Sequence, residues 1–331
     1  MFIKQRFNSR MLALLATGAL TCSGQAFAQD TQAYPDHAIH MLVPYTAGGA
    51  ADVLARALSA ELAKRWKQPV IVDNRPGADG AIAVDYLVKS DPDGYTMLYG
   101  PNAIYSIFPH IHKKAKTNAR KDLIPVAMVG LSPLVLAVPA ASPIHDIPQL
   151  IAYAKAHPGK LNFGTPGSSS LHRMAGEQFD MNAGVKMVQV PYKGTSQAAV
   201  DLAGGQLGLL YAVPQSVTAL VKAGKARILA VTTAHRFPLM KDIPSVGETL
   251  KGWPEYATFQ GVFVAKGTPP AVTKKIQDTV KEIMKEQSFK DKLAMLDFSA
   301  DFLDSQKFKA KLEQDYAAVG NIVTKVGITA Q

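Results

Sequence analysis

A glycine-rich stretch at residues 44–52, with the sequence PYTAGGAAD, has the composition of a ligand-binding loop. It lies between an apolar run at residues 39–43 and a run of helical periodicity at residues 50–66, so it is predicted to join a strand to a helix. Glycines let backbone N–H groups approach a ligand closely, and a helix N-terminus favours an anion without a basic side chain. The alternative is an ordinary tight turn in which Asp52 caps the helix or pairs with Arg56.

A second stretch of this kind, GTPGSSSLH, occupies residues 164–172. It follows a predicted strand at residues 161–163 and opens a predicted helix that continues through Phe179. A serine loop alone is ordinary helix capping, but two loops in matched positions, one in each lobe, could close on the two ends or the two faces of one carboxylate-bearing molecule by uncharged hydrogen bonds. The residues of the two loops that we expect to contact a ligand are Tyr45, Thr46, Ala47, Gly48, Gly49, Thr165, Ser168, Ser169, Ser170 and His172.

Two further tyrosines, Tyr192 and Tyr211, are interpreted as possible walls of the same site, although buried aromatic side chains usually serve a core. Arg75 and Lys193 lie in turns and could assist an anion, but charged turn residues are more often solvated. His172 could donate to a ligand or could hold the start of its helix.

The sequence offers little for catalysis. It lacks His-Glu-x-x-His, the phosphate-binding Gly-x-x-x-x-Gly-Lys-Ser/Thr, the dinucleotide fingerprint Gly-x-Gly-x-x-Gly, and paired Cys or clustered His at metal-ligand spacing. We therefore expect no cofactor, no metal and no enzymatic activity. A serine hydrolase using residues 168–170 with His172 is the alternative, against which stand the missing Gly-x-Ser-x-Gly and the lack of a nearby acid.

The first 28 residues have the layout of a secretory signal peptide: basic residues, an apolar run at residues 11–20, and Ala26-Phe27-Ala28 before the expected cleavage site. This places the mature protein in the periplasm. The only cysteine, Cys22, lies in the leader, so no disulfide is expected. The net charge of +10 is spread along the chain without a dense basic and aromatic stretch, so nucleic acid is not an expected partner.

Strands alternate with helices, first at residues 39–99 and again from residue 148 onward, which predicts two α/β lobes with a cleft at the carboxyl ends of their strands. The chain is divided into a signal peptide (1–28), a discontinuous first lobe (29–130 and 260–331) and a second lobe (131–259). The tail is predicted to contain helices that return to the first lobe.

Motifs in order along almost the whole mature chain carry a resemblance to a known family. They are VPYTAGGAAD (43–52), VDNRPGA (72–78), DGYT (93–96), PGKLN (158–162), VPYKG (190–194), AGK (223–225) and KGTP (266–269). In these motifs the chain resembles the periplasmic solute receptors of tripartite tricarboxylate transporters, the Bordetella uptake gene (Bug) family.

The resemblance implies a Venus-flytrap fold of two α/β lobes joined by crossing strands, and a carboxylate held at the cleft by the two loops. It also implies a membrane permease of the tripartite tricarboxylate transporter type as partner, and we expect the receptor itself to be a monomer. Other roles left open are a ligand sensor that feeds a signalling system and a structural protein of the cell envelope.

The chain departs from the family pattern at two places. Ala47 stands where the family's first loop usually has proline, which loosens the loop or makes room for a bulkier ligand. Residues 209–214 lack the aspartate that often occurs there in the family. Because that carboxylate would suit the ammonium of an amino acid, we expect a di- or aromatic carboxylate as ligand.

Overall fold

The structure is a computed structural model that describes residues 34–166, 170–192 and 194–327. The expected signal peptide and the candidates Ser168, Ser169 and Lys193 lie outside the described residues. The strands are β1 (Ile39–Val43), β2 (Val70–Asn74), β3 (Thr96–Pro101), β4 (Leu123–Pro133), β5 (Val135–Pro139), β6 (Asn162–Pro166), β7 (Val188–Tyr192), β8 (Leu209–Ala212), β9 (Ala226–Val231), β10 (Ala257–Ala265) and β11 (Ser299–Asp304). The helices are α1 (Ala50–Trp66), α2 (Ala81–Lys89), α3 (Ala103–Ser106), α4 (Phe108–Ile111), α5 (Ala119–Asp122), α6 (Ile147–Ala156), α7 (Leu171–Ala183), α8 (Thr195–Ala203), α9 (Gln215–Lys222), α10 (Val246–Thr249), α11 (Pro270–Lys285), α12 (Gln287–Ala294) and α13 (Ser305–Val326).

The first helix shows how the sequence specifies these elements. Leu54, Leu58 and Leu62 recur every four residues and are fully or almost fully buried, so α1 presents one apolar stripe to the first sheet. The helix ends at Lys67, whose left-handed backbone (φ 55°) lets its N–H donate to the carbonyl of Ala63. This helix runs directly out of the glycine-rich loop and fixes its direction.

Two mixed sheets form the centres of two α/β lobes, which confirms the predicted fold class. In the described part of the chain the first sheet has the order β11-β4-β10-β3-β1-β2, with β1 parallel to β2 and β3 and the remaining pairs antiparallel. The second sheet has the order β7-β6-β8-β5-β9, with β6 parallel to β7 and β8. Strands β1 and β6 lead into the two loops that were predicted to bind a ligand.

The chain passes between the sheets at two places that lie side by side. Leu134 alone separates β4 in the first sheet from β5 in the second. The return passage follows β9, where the N–H of Thr232 donates to the Leu134 carbonyl at 2.9 Å and the N–H of Tyr256 donates to the Thr232 carbonyl at 3.0 Å. Trp253 Nε1 donates to the same carbonyl at 2.9 Å. Thr232 therefore ties the two passages together.

The tail differs from its prediction in one element. Helices α11, α12 and α13 were expected, but β11 was not, and it pairs with β4 at the edge of the first sheet. Its sequence, SADFLD, mixes polar and apolar residues, and none of them is buried, so no clear apolar alternation predicts a strand there. Within the described residues, no helix combines the length and the apolar character that crossing a membrane would require.

Candidate functional site

The glycine-rich loop connects β1 to α1 and forms one wall of a cleft. Gly48 has a φ of +86°, a conformation that glycine adopts without strain. Gly49 is the N-cap of α1, and its carbonyl accepts the N–H of Val53 at 3.0 Å. The N–H groups of the first helical turn have no partner within a helix, so those of Ala50 and Ala51 are suited to a ligand oxygen.

A buried carboxylate holds this loop in shape. Asp52 Oδ2 accepts the N–H of Gly48 at 2.9 Å and Nε of Arg56 at 3.1 Å, and its Oδ1 accepts Nδ2 of Asn74 at 2.9 Å. The same Asn74 amide donates to the Tyr45 carbonyl at 3.0 Å. Burial raises the pKa of Asp52, but the hydrogen bonds outweigh it and the net shift is downward.

Asp52 therefore pairs with Arg56, as the alternative interpretation of the loop expected, but it accepts the Gly48 N–H before the helix and does not cap α1. That role does not remove the loop from the site, because Tyr45, Thr46 and Gly49 line the cleft. The Gly48 N–H donates to Asp52, and neither Gly48 nor Ala47 is among the described residues that line the cleft.

The facing wall begins at α7. Ser170 is the N-cap, and its Oγ accepts the N–H of Arg173 at 3.3 Å. His172 follows in the first turn and lines the cleft. Both of its ring nitrogens are buried and have no hydrogen-bond partner among the described residues. Burial lowers the pKa of His172 to about 4, so the imidazole is neutral near pH 7.

The cleft between these walls has a volume of about 480 Å³. None of its described lining residues is Lys, Arg, Asp or Glu. Its lining includes the first residues of five described helices. Four of these helices have eight or more residues and begin at Ala50, Leu171, Thr195 and Gln215, and the fifth is the four-residue α3, which begins at Ala103. Because each helix N-terminus carries a partial positive charge of about half a unit, the cleft attracts an anion although its side chains are uncharged.

The remaining candidates lie away from the cleft lining. Thr165 is fully buried, and its Oγ1 accepts Nε2 of Gln189 at 2.7 Å. The Tyr192 hydroxyl donates to Asp201 at 2.9 Å. Tyr211 is fully buried, edge-on to Phe163 with 5.6 Å between ring centroids, and its hydroxyl has no partner among the described residues. The structure thus brings together Tyr45, Thr46, Gly49 and His172, and it leaves the three other side chains inside the second lobe.

The cleft contains polar side chains that sequence reasoning missed. Thr258 and Gln260 come from β10, Thr195 opens α8, and Gln215 opens α9 and donates to the Leu296 carbonyl. A usable signal existed for the first two, since polar residues at alternate positions of an otherwise apolar strand mark one face. Asn102 also lines the cleft, but its side chain is hydrogen-bonded to backbone groups of β10 and to Asp315.

A Ser-His hydrolase finds no support in the described residues. Ser170 is engaged as a helix cap, and no carboxylate within the described chain hydrogen-bonds His172. A catalytic histidine requires such an orienting partner to hold its tautomer. The described residues also bring together no group of three His, Cys, Asp or Glu side chains that could hold a metal ion.

Comparison with known proteins identifies several relatives. Residues 54–328 match the family described as "Tripartite tricarboxylate transporter family receptor". A UPF0065 protein of Bordetella bronchiseptica is 38% identical over 256 residues, which cover 77% of this chain and 76% of that protein. Protein BugT of Bordetella pertussis is 33% identical over 287 residues, which cover 85% of this chain and 86% of that protein.

Solved structures of similar proteins agree with these sequence relatives. The structure of Rpa4515 from R. palustris with adipate is similar, with a TM-score of 0.78 and 29% identity, covering 89% of this chain and 98% of that one. The periplasmic binding protein BugD is also similar, with a TM-score of 0.74 and 26% identity, covering 90% of this chain and all of that one (100%). The fold is therefore that of a two-lobed periplasmic binding protein.

Proposed function

Because this chain belongs to the receptor family of the tripartite tricarboxylate transporters, whose members are periplasmic solute-binding proteins, we propose that it captures a small carboxylate and delivers it to a membrane permease of that type. The observation that carries the proposal is that the N-termini of four helices of eight or more residues converge on a cleft whose described lining has no charged side chain. Backbone N–H groups are strong donors to a carboxylate and need no counter-ion. Binding of this kind is non-covalent and calls for no cofactor.

The ligand class follows from the same lining. The ammonium group of an amino acid would need a negatively charged side chain to pair with, and no Asp or Glu is among the described residues that line the cleft. Apolar contacts from Leu134, Val213 and Phe298 suit a carbon chain or a ring. Rpa4515, which is similar over most of this chain, was solved with adipate, a dicarboxylate. These points favour a di- or aromatic carboxylate over an amino acid.

The proposed site consists of residues from both walls. Tyr45, Thr46, Gly49 and His172 line the cleft, and Ala47, Gly48 and Ser170 stand beside them in the same loops. Ser168 and Ser169 belong to the proposal on sequence grounds alone. We expect Thr165, Tyr192 and Tyr211 to support the facing wall, which begins at α7, by packing beneath it.

Lobe closure is the proposed mechanical step. We assign residues 29–130 and 260–331 to one lobe and residues 131–259 to the other, which places the two passages near Leu134 and Tyr256 at the boundary. Thr232 joins these passages by hydrogen bonds, so rotation there can open the cleft while the sheets stay intact. A ligand that contacts both walls binds the closed state more tightly and shifts the population toward it.

Export and assembly complete the proposal. Residues 1–28 act as a signal peptide that is cleaved after Ala28, and the mature receptor works in the periplasm as a monomer. The receptor is not an enzyme, so the ligand leaves it chemically unchanged.

A thermal-shift screen of residues 29–331 tests this function. Dicarboxylates, aromatic acids and amino acids are added in turn, each beside its primary amide, which lacks the carboxylate charge. A bound carboxylate at 100 times its Kd stabilises the folded state by about 2.7 kcal/mol, and its amide should have no such effect. Mass spectrometry should recover the ligand intact. Stabilisation by no carboxylate, or conversion of the ligand to a product, would refute the proposal.

A further inference from the structure

Gln260 is a cleft residue whose side chain has an incomplete set of hydrogen bonds. The residue is 5% exposed and lines the cleft, and its Oε1 is buried without a hydrogen-bond partner among the described residues. A buried acceptor without a donor costs free energy. Such a group in a native structure therefore calls for an explanation, and a polar ligand group in the cleft is one.

The direction of this side chain is set by β10. Phe259 packs against Phe308 of α13 with 6.2 Å between ring centroids, and a Cβ on Gly261 would lie 2.4 Å from the same ring. Residues 259 and 261 therefore face α13. Because side chains alternate along a strand, Gln260 points to the opposite side, where the cleft lies.

His172 offers a second incomplete group from the facing wall. Both ring nitrogens are buried without a partner among the described residues, and the two walls face one cleft. A neutral imidazole has one donor and one acceptor nitrogen, and a carboxamide has an acceptor and a donor end. The cleft thus presents donors and acceptors together, and none of them is charged.

A hydroxyl group matches this arrangement better than a second carboxylate does. A hydroxyl donates and accepts, so it satisfies the Gln260 carboxamide in either of its two amide orientations. An ionised carboxylate only accepts, so it satisfies the carboxamide in only one of these orientations, the one that presents Nε2. We propose that Gln260 is a specificity-determining residue that hydrogen-bonds a hydroxyl of the bound acid, so that the receptor prefers hydroxycarboxylates. This inference rests on the proposed carboxylate-binding function.

Matched pairs of acids test the inference by calorimetry. The pairs are succinate and malate, adipate and 3-hydroxyadipate, and 3-phenylpropanoate and 3-phenyllactate, with each hydroxy acid used as the racemate. In at least one pair the hydroxylated acid should bind about tenfold more tightly, the effect of one additional buried hydrogen bond.

Gln260→Leu and Gln260→Met should each bring that preference to within twofold of unity. They should do so by weakening the hydroxylated acid alone, and the unchanged binding of the other acid shows that the variant is folded. Gln287→Leu, the same change at an exposed position of α12, should keep the tenfold preference.

Each other outcome has a distinct meaning. If wild type binds carboxylates with no preference in any pair, or if both Gln260 variants keep the preference, the inference is overturned and the receptor function stands. Equal loss of both members of a pair in both variants would also overturn it, because Gln260 would then support the shape of the cleft. If wild type binds no carboxylate at all, the proposed function itself has failed.

Discussion

Replacing Asp52 by asparagine removes the charge that holds the glycine-rich loop. The carboxylate accepts the Gly48 N–H and the Asn74 amide, both at 2.9 Å, and it pairs with Arg56. An asparagine has one acceptor oxygen, so its NH2 group would face one of these two donors. We expect a less stable protein with a loosened loop and weaker ligand binding.

The magnitude follows from burial and from the partners. The Asp52 side chain is 4% exposed, so its hydrogen bonds with Gly48 and Asn74 are shielded from water, and each is worth about 1.5 kcal/mol as a bond to a charged group. The Arg56 side chain is 51% exposed, and its ion pair adds little because solvent screens it. Because the asparagine oxygen still accepts from one of these donors, only one bond is lost, and the expected loss in the free energy of unfolding is about 1.5–3 kcal/mol, the range for a bond to a charged group.

Urea unfolding monitored by circular dichroism measures this loss, and calorimetry with a bound carboxylate measures affinity. Asp278→Asn is the matched control, because the Asp278 side chain is half exposed and its ion pair among the described residues is the i,i+4 pair with Lys274. The control should change stability by less than about 0.5 kcal/mol. Because the pKa of Asp52 lies below its ordinary value of 3.8, its contribution is present above that pH and disappears as the pH falls through the lowered pKa. The free energies of unfolding of the wild-type protein and the Asp52→Asn variant should therefore become similar in strong acid.

An Asp52→Asn variant as stable as the Asp278→Asn control would refute this reasoning. A difference in stability that persists unchanged in strong acid would also refute it, since the effect would then owe nothing to the carboxylate charge.

Three further predictions concern residues in and near the cleft. In the ligand-free protein the His172 ring should titrate with a pKa of about 4 by NMR, so that it stays neutral in mildly acidic buffer, and a midpoint near the ordinary value of 6.5 would contradict its burial. Gly48→Ala and Gly159→Ala place a side chain at positive φ in open space and should each cost about 1–2 kcal/mol in chemical unfolding, but only the first should weaken ligand binding. Tyr192→Phe should cost about 1 kcal/mol by removing the hydrogen bond to Asp201 and leave the Kd unchanged, whereas a raised Kd would place the hydroxyl in the site.

Local patterns were enough to predict the elements that carry strong periodicity. The prediction of β1 at residues 39–43 and of α1 at residues 50–66 agrees with the structure at both ends. In these two elements the local propensity, the apolar pattern and the observed burial all agree, so contacts with distant parts of the chain were not needed to predict them.

The pairing of strands that lie far apart along the chain was harder to predict from the sequence. The sequence predicted separate extended runs at residues 125–129 and 134–138, but β4 continues to Pro133 because it pairs along its length with β10. Strand β11 pairs with the same β4 from the far end of the chain. Such partners lie far away along the chain, and no local pattern reports them.

The candidate site was predictable where loops follow strands and unpredictable within strands. The loop at residues 44–52 was identified because glycine and a following helix have a defined physical use. Tyr211 was expected at the cleft but packs in the core, since all four residues of β8 are buried and alternation cannot then assign a side. Gln260 was missed although Thr258 lies on the same face of β10, because two polar residues in an apolar strand do not by themselves distinguish a binding site from a solvated face.

A crystal structure of the mature protein with a carboxylate selected by the thermal-shift screen tests the central claim most directly. The account predicts carboxylate oxygens within about 3.2 Å of backbone N–H groups in the first turns of α1 and α7, with no Lys or Arg in contact. The claim is contradicted if the acid lies elsewhere, for example in the groove of about 380 Å³ lined by residues 233–238 and 299–301.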